Sequence, residues 1–302
     1  MRTGATTASW KDPGTARPRV VSTVEALGAE LKQARQRGSV GLVPTMGALH
    51  AGHLSLIRAA RAECGYVVVS VFVNATQFGP NEDLARYPRD LEADVRHCGD
   101  EKVDLVFAPA DDEVYPPGYS TFVEVQGISD VWEGAFRPGH FRGVATVVLK
   151  LLNLVAPDVA YFGQKDYQQS LVVRRMAADL NVKVAIRVCP TVREPDGLAL
   201  SSRNQYLTPS DRQRALVLYH SLILAKELYD VGERDADKLR EPMHELFRNT
   251  QGVGLDYAEI VSSESLEKLA AIDGPAIALV AARVGGTRLI DNLLLASSDN
   301  GP

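Results

Sequence analysis

Residues 66–73, Tyr-Val-Val-Val-Ser-Val-Phe-Val, form an almost unbroken apolar, β-branched run, and this pattern constrains the fold more than any other feature of the chain. A strand with one face in water alternates polar and apolar residues; one without that alternation must be covered on both faces, the condition of a central strand in a parallel sheet between two layers of helices. Residues 40–43 and 103–108 repeat the pattern, and shorter strands are expected at 122–125, 159–162 and 184–188. Between them, residues 54–61, 90–99, 143–155 and 167–180 read as helices. The alternation predicts an α/β fold, a Rossmann-like doubly wound parallel sheet.

From about residue 190 the character changes. Leu207-Thr208-Pro209-Ser210-Asp211 starts a helix, with Thr208 as N-cap and Pro209 in the first helical position. Helices at about 210–230 and 235–250 precede strands near 257–261, 276–284 and 287–292, so a smaller C-terminal α+β domain is expected. The chain then divides into a disordered N-terminal extension (1–19), a Rossmann-like nucleotide- and substrate-binding domain (20–189) and the smaller domain (190–302).

With 302 residues, 45% hydrophobic and 24% charged, the chain can bury one large core or two, and the disordered and fibrous classes are excluded. A net charge of -5 argues against a general binder of nucleic acid or anionic membranes, so an anionic ligand must be met by a local pocket. No apolar run approaches the ~20 residues that cross a bilayer. Residues 1–19 lack the hydrophobic core of a signal peptide; they are poor in acids and contain Arg, Ser and Thr, and a disordered extension is favoured over a transit peptide. Cys64, Cys98 and Cys189 are widely spaced with no CxxC pair, so neither a disulfide framework nor a zinc site is expected, and a reducing cytoplasm fits.

The chemistry concentrates where the first strand gives way to a helix, in Pro44-Thr45-Met46-Gly47-Ala48-Leu49-His50-Ala51-Gly52-His53. Pro44 is expected to end the strand, and His53 to lie at or near a helix N-terminus, where free N–H groups and the helix dipole favour an anion. Gly52 lets the backbone approach closely. The functional reading makes the two imidazoles donors to a phosphate whose charge grows during attack at phosphorus; capping or core histidines are one alternative. A metal pair at i and i+3 is another, but it lacks a nearby third ligand. Two further clusters favour phosphate: Phe162-Gly163-Gln164-Lys165-Asp166-Tyr167-Gln168-Gln169 again runs from strand through glycine into helix, and Leu200-Ser201-Ser202-Arg203-Asn204 gathers hydroxyls, a guanidinium and an amide. Residues 74–88, polar and rich in Gly and Pro, are long enough for a lid.

Taken together, PTMGALHAGH, FVNATQF (72–78), YPRD (87–90), RPGHFRGV (137–144), FGQKDYQQ (162–169) and DGLALSSRNQYL (196–207) resemble the pantoate–β-alanine ligase family, the pantothenate synthetases of the HxGH nucleotidyltransferase superfamily. The likeness spans about residues 20–295. It implies ATP-dependent ligation of (R)-pantoate to β-alanine through pantoyl adenylate, with release of AMP and pyrophosphate, in coenzyme A biosynthesis; it also implies Mg2+ and a homodimer through the N-terminal domain. Within that resemblance His50 and His53 stabilise phosphate charge, His53 as the proton donor, and Lys165 with Ser201, Ser202 and Arg203 holds the phosphates. The ATP-contacting segments correspond to Met46, Gly47, Ala48, Leu49, His50, Ala51, Gly52 and His53; to Gly163, Gln164, Lys165 and Asp166; and to Val192, Leu200, Ser201, Ser202 and Arg203. Gln77 corresponds to a contact of both pantoate and β-alanine, and Gln169 to one of pantoate. Neutral amides suit that task, since they bind a carboxylate without the salt bridge that blunts its nucleophilicity.

The same resemblance implies that Pro44, Met46, Val148 and Phe162 enclose pantoate's methyl groups, although core packing explains Val148 and Phe162 equally well. Asp94 lies where the family approaches magnesium; a solvated helix carboxylate is the competing reading. The chain departs from the common family pattern at Ala75-Thr76, which replaces Pro-Met, and at Gln164, which replaces Glu.

Overall fold

The computed structural model describes residues 17–80 and 82–296. Six strands, β1 (Arg19–Val21), β2 (Val40–Thr45), β3 (Tyr66–Val71), β4 (Leu105–Phe107), β5 (Val159–Gly163) and β6 (Ala185–Cys189), lie in the order β1-β4-β3-β2-β5-β6. All neighbours pair in parallel, as the apolar runs required. The central strand β3 shows why: Tyr66 and Val68 enter the core formed with α1 (Val24–Ala34), α6 (His140–Val155) and α7 (Tyr167–Asp179), whereas Val67 and Val69 enter the opposite core formed with α2 (Ala51–Glu63) and α3 (Leu91–Asp100). Two short helices, α4 (Asp111–Val114) and α5 (Glu133–Phe136), lie between β4 and α6.

The second unit places α8 (Pro209–Arg214), α9 (Leu216–Asp230) and α10 (Ala236–Arg248) before an antiparallel sheet of β7 (Val253–Ser262), β8 (Ala276–Val284) and β9 (Thr287–Ala296), paired in sequence order. Leu218, Leu222, Leu239 and Met243 of the helices close on Ile260, Ala278 and Val280 of this sheet in a core of their own. Thr208 caps α8 by accepting from Asp211 N–H at 3.1 Å, with Pro209 inside the first turn.

Several elements differ from the sequence-based expectation. Strand β2 runs through Pro44 to Thr45 because β5 pairs with it only at Gly41 and Leu42; Thr45 C=O faces β3, where it accepts from Phe72 N–H, so the proline's missing donor falls on the side where pairing has ended. Residues 122–125 join no ladder, and Val123 N–H goes to Thr146 Oγ1 at 2.9 Å instead. Helix α6 begins at His140, after the left-handed Gly139 (φ 81°). The expected N-terminal extension lies outside the described residues up to position 16, but Arg19 already pairs with Leu105 in β1.

Candidate active site

Strand order reverses at β2: the chain proceeds from β2 to β3 on one side, and later returns to place β5 on the other. The carboxyl ends of β2 and β5 therefore open onto one crevice, the position where α/β sheets collect ligands. The histidine motif follows β2 and the Lys165 turn follows β5, so two segments more than a hundred residues apart meet there.

His50 is the N-cap of α2, and its Nδ1 accepts from Gly52 N–H at 3.1 Å; His53 Nδ1 accepts from His50 N–H at 3.4 Å, completing a reciprocal cap with two imidazoles. With both Nδ1 atoms accepting, the neutral rings carry their protons on Nε2. Their centroids are 4.2 Å apart. Burial, and then the nearby Lys165, lowers His50 to about 4; burial, then His50 and Lys165, lowers His53 to about 3. At neutral pH the pair thus consists of uncharged Nε2–H donors. A Cβ at Gly52 would lie 2.8 Å from His50 Cε1, so a larger residue there would push the His50 ring aside.

The histidines, Lys165, Asp166, Ser201, Ser202 and Arg203 line a cavity of about 220 Å³ together with Gln77, Gln169, Val192 and Leu200. Pro44, Met46, Val148 and Phe162 supply its apolar wall. Among the described residues Asp166 is its sole acidic lining residue, against Lys165, Arg137 and Arg203, so the space favours an anion. It adjoins a cavity of about 540 Å³ that reaches β9. Gly47, Ala48, Leu49, Ala51 and Gln164 line neither cavity; they flank the residues that do.

Gln77 is held from three directions. Asn74 Nδ2 donates to its Oε1 at 3.0 Å, its Nε2 lies 3.2 Å from Met46 Sδ, and its backbone carbonyl accepts from His140 Nδ1 at 2.9 Å. Arg137 Nη1 lies 3.1 Å from His140 Nε2, and burial, followed by Arg137, lowers His140 to about 4. Of the adjacent glutamines, Gln168 is buried and spends its amide on the backbone of Ile128, Val131 and Glu133; Gln169, one step around α7, faces the cavity. Thr76 donates to Asn74 Oδ1 at 2.8 Å, so its hydroxyl braces the turn.

The 74–88 segment is tied down on both sides. Glu82 takes two bonds from Arg137 (2.6 and 2.7 Å), and Asp83 takes two from Arg203 (2.9 and 3.0 Å). Despite burial, these guanidinium partners hold both carboxyls below their usual range. Arg203, expected to bind phosphate, thus has Nε and one Nη2 hydrogen on Asp83, leaving the Nη1 hydrogens and the second Nη2 hydrogen outside that pair.

Two residues that sequence reading missed anchor the site from β9. Asn292 Nδ2 donates to the carbonyls of Gln164 and Lys165, each at 2.9 Å, while Gln164 Nε2 reaches Asn292 Oδ1 at 3.4 Å. Asp291 takes a bidentate pair from Arg193 (2.6 and 3.0 Å), and Arg193 bridges to Ala199 just before the serine loop. The Asn292→Ala variant should raise KM for ATP about tenfold, equivalent to ~1.4 kcal/mol for the two lost bonds, with little change for the carboxylate substrate. Initial-rate kinetics with each substrate varied checks this, and equal rises in both KM values would argue against it.

The depressed histidines also predict the pH response of the ligand-free protein. Their folded pKa values lie below the unfolded value of 6.5, so between pH 4 and 6.5 the unfolded chain binds protons that the folded chain refuses. Stability is complete above about pH 6.5 and falls on acidification. The melting temperature should begin to drop near pH 6.5, before the carboxylates of Glu82 and Asp83 titrate; a flat profile down to pH 5 would contradict the burial argument.

A magnesium ion is the remaining candidate occupant. Among the described residues no group of three His, Cys, Asp or Glu is arranged to hold a metal. Asp166 is exposed toward the anion-favouring cavity, which fits an ion held mainly by phosphate and water oxygens with one carboxylate. Asp94 does not fit: it is 2% exposed, lines neither cavity, and accepts from Ala48 and Leu49 N–H at 3.0 and 2.8 Å. The reading of Asp94 as a solvated carboxylate is likewise overturned by its burial, which raises its pKa against the pull of the two amides.

The pantoate-beta-alanine ligase family model matches residues 19–294. A pantothenate synthetase of Pelotomaculum thermopropionicum is 53% identical over 277 residues, covering 91% of this chain and 98% of its own. A pantothenate synthetase structure from Thermus thermophilus superimposes with a TM-score of 0.88 at 51% identity, covering 92% of this chain and 99% of its own. The pantoate-beta-alanine ligase of Francisella tularensis, complexed with beta-gamma ATP and beta-alanine, gives a TM-score of 0.76 at 35% identity, covering 93% and 99%. Together with the histidine-capped helix at the switch point of the sheet, these matches mean that the chain belongs to the pantoate–β-alanine ligase family.

Proposed function

We propose that the protein ligates (R)-pantoate to β-alanine at the expense of ATP, through a pantoyl-adenylate intermediate. The observation that carries this reading is the joining, in one cavity of about 220 Å³, of neutral Nε2–H donors on His50 and His53, the cations Lys165 and Arg203, and the amides of Gln77 and Gln169. A carboxylate oxygen of pantoate attacks the α-phosphorus of ATP, and the bond to the pyrophosphate oxygen breaks. Charge that develops on the phosphoryl oxygens is met by His50 and His53, while Lys165, Ser201, Ser202 and Arg203 hold the phosphates. The amine of β-alanine then attacks the acyl carbon; the bond to AMP breaks, and the amine gives up its proton as the amide forms. Bound magnesium would neutralise phosphate charge, with Asp166 the side chain best situated to reach it.

Gln77 and Gln169 orient pantoate as neutral donors and acceptors, and the wall of Pro44, Met46, Val148 and Phe162 suits its methyl groups. Met46, Gly163, Asp166, Val192 and Leu200 complete the nucleotide side, and the segments of Gly47, Ala48, Leu49, Ala51 and Gln164 belong to the same nucleotide-contacting turns. The proposal divides the chain at 189/190, with the serine loop supplied by the second domain, and includes a homodimer and a cytoplasmic location. No helix among the described residues is long and apolar enough to cross a membrane. The free thiols of Cys64, Cys98 and Cys189 are compatible with a reducing compartment.

Incubation with ATP, Mg2+, (R)-pantoate and β-alanine, each omitted in turn, tests the reaction by mass spectrometry. Pantothenate and AMP in equal amounts, dependent on every substrate, is the expected result. Pyrophosphate release without amide would confine the activity to adenylation, and no turnover by folded protein would refute the proposal.

A further inference from the structure

The loop between β2 and α2 has an unusual backbone. Gly47 (φ 80°) and Ala48 (φ 51°) both adopt left-handed conformations in succession, a geometry that turns neighbouring N–H groups toward a common point and forms a nest for an anion. Such a nest beside a nucleotide cavity is ordinarily a phosphate site. Here it is filled from within: Asp94 reaches across from the first turns of α3, Oδ2 accepting from Ala48 N–H at 3.0 Å and Oδ1 from Leu49 N–H at 2.8 Å. The fit is close enough that a Cβ on Gly47 would lie 2.7 Å from Asp94 Oδ2. Leu49 is followed directly by His50, the N-cap of α2. Thr45 supports the other end of the loop, accepting from Gly47 N–H at 3.1 Å and donating to Ser70 C=O at 2.7 Å.

We propose that Asp94 is a positioning residue for adenylation: its carboxylate satisfies the nest at Ala48 and Leu49, fixes the start of α2, and thereby aims the Nε2–H groups of His50 and His53 into the cavity, instead of ligating magnesium. This rests on the AMP-forming ligase reading. Two consequences distinguish it from a metal-ligand role. The Ala48 and Leu49 amides are already committed and do not serve the nucleotide, and loss of the carboxylate damages histidine geometry without altering the demand for metal.

The Asp94→Asn variant keeps the shape but replaces one acceptor by an NH2 group facing a backbone N–H; Asp94→Glu keeps both acceptors on a side chain one methylene longer and serves if the first fails to fold. In the full-length enzyme, with wild-type turnover established first, either variant should lower kcat for AMP formation at least tenfold. KM for pantoate and the Mg2+ concentration giving half-maximal rate should stay within twofold of wild type. The side-chain 15N signals of His50 and His53 should shift. A Mg2+ half-saturation raised tenfold, with kcat restored at high Mg2+, would overturn the proposal in favour of ligation. Wild-type kcat in a folded variant would refute positioning, and proportionate losses in kcat, pantoate binding and melting temperature would reduce Asp94 to general structural support. Failure of wild-type protein to form AMP would instead strike the ligase reading itself.

Discussion

Replacing His53 by alanine is expected to lower the rate of AMP formation by about 10²–10³-fold, the usual cost of removing one preorganised donor from a developing oxyanion. The fold should survive. His53 is a member of the cap of α2, but its bond to His50 N–H is long, 3.4 Å, so the stability lost is ~1 kcal/mol or less. The effect should fall on kcat with little change in KM for ATP, because a donor aimed at charge that grows during attack stabilises the transition state more than the bound substrate. Since His53 is neutral at pH 7, the loss should be the same across pH 6.5–8.5. Single-turnover formation of adenylate checks this; a defect confined to KM, or one that vanishes at high pH, would exclude the neutral-donor role.

Gly143→Ala is expected to be nearly as damaging, from a position that does not itself touch substrate. At Gly143, helix α6 passes so close to the turn Ala75–Gln77 that an added Cβ would lie 2.5 Å from Thr76 C=O and 2.7 Å from Gln77 N and Cα. These are backbone atoms and cannot rotate aside. Either the turn or the helix must move, and Asn74 Nδ2, which donates to both Gly143 C=O and Gln77 Oε1 at 3.2 and 3.0 Å, moves with them. A displacement approaching 1 Å at a positioned group costs about 10²-fold in rate, so kcat/KM for pantoate should drop by that order. Alanine has the higher helix propensity by about 1 kcal/mol, which works against any loss of α6 itself. A variant with wild-type pantoate kinetics would mean that the packing relaxes without moving Gln77.

The two variants illustrate different degrees of legibility in the sequence. The place of His53 could be read because it depends on local features: a β-strand, a glycine and a helix start, all encoded within about a dozen residues. The apolar run at 66–73 was equally explicit, since burial on both faces leaves a one-dimensional trace; Val67 and Val69 do face one core, and Tyr66 and Val68 the other. Gly143, by contrast, reads as one residue in a helical pattern. Its necessity arises only when residues 75–77 are folded against it. The same is true of Asn292 and Asp291, two ordinary polar residues near the end of a strand until β9 is laid beside the Lys165 turn and Arg193.

Misreadings had the same origin. Asp94 is four residues beyond Asp90 on a polar helix, a pattern that locally means solvent, yet α3 turns it inward onto the Ala48 and Leu49 amides. Pro44 normally ends a strand, but β5 has already parted from β2 at that point, and nothing is lost by continuing to Thr45. The 122–125 segment has strand composition and no strand to pair with. The three-residue β1 was too short to show any period.

By itself, then, the sequence determined the class of sheet, the presence of the second α+β unit, the family, and the segments that meet at the cavity, because burial period and turn chemistry act over neighbouring residues. Only the tertiary structure decided that Asp83 holds Arg203, that Gln169 and not Gln168 faces the cavity, and that Asp94 supports the loop from behind. Each of these depends on contacts between residues tens to more than a hundred positions apart, or on the rotation of a helix about its axis, and hydrogen-bond partners at such separations leave no period in the chain.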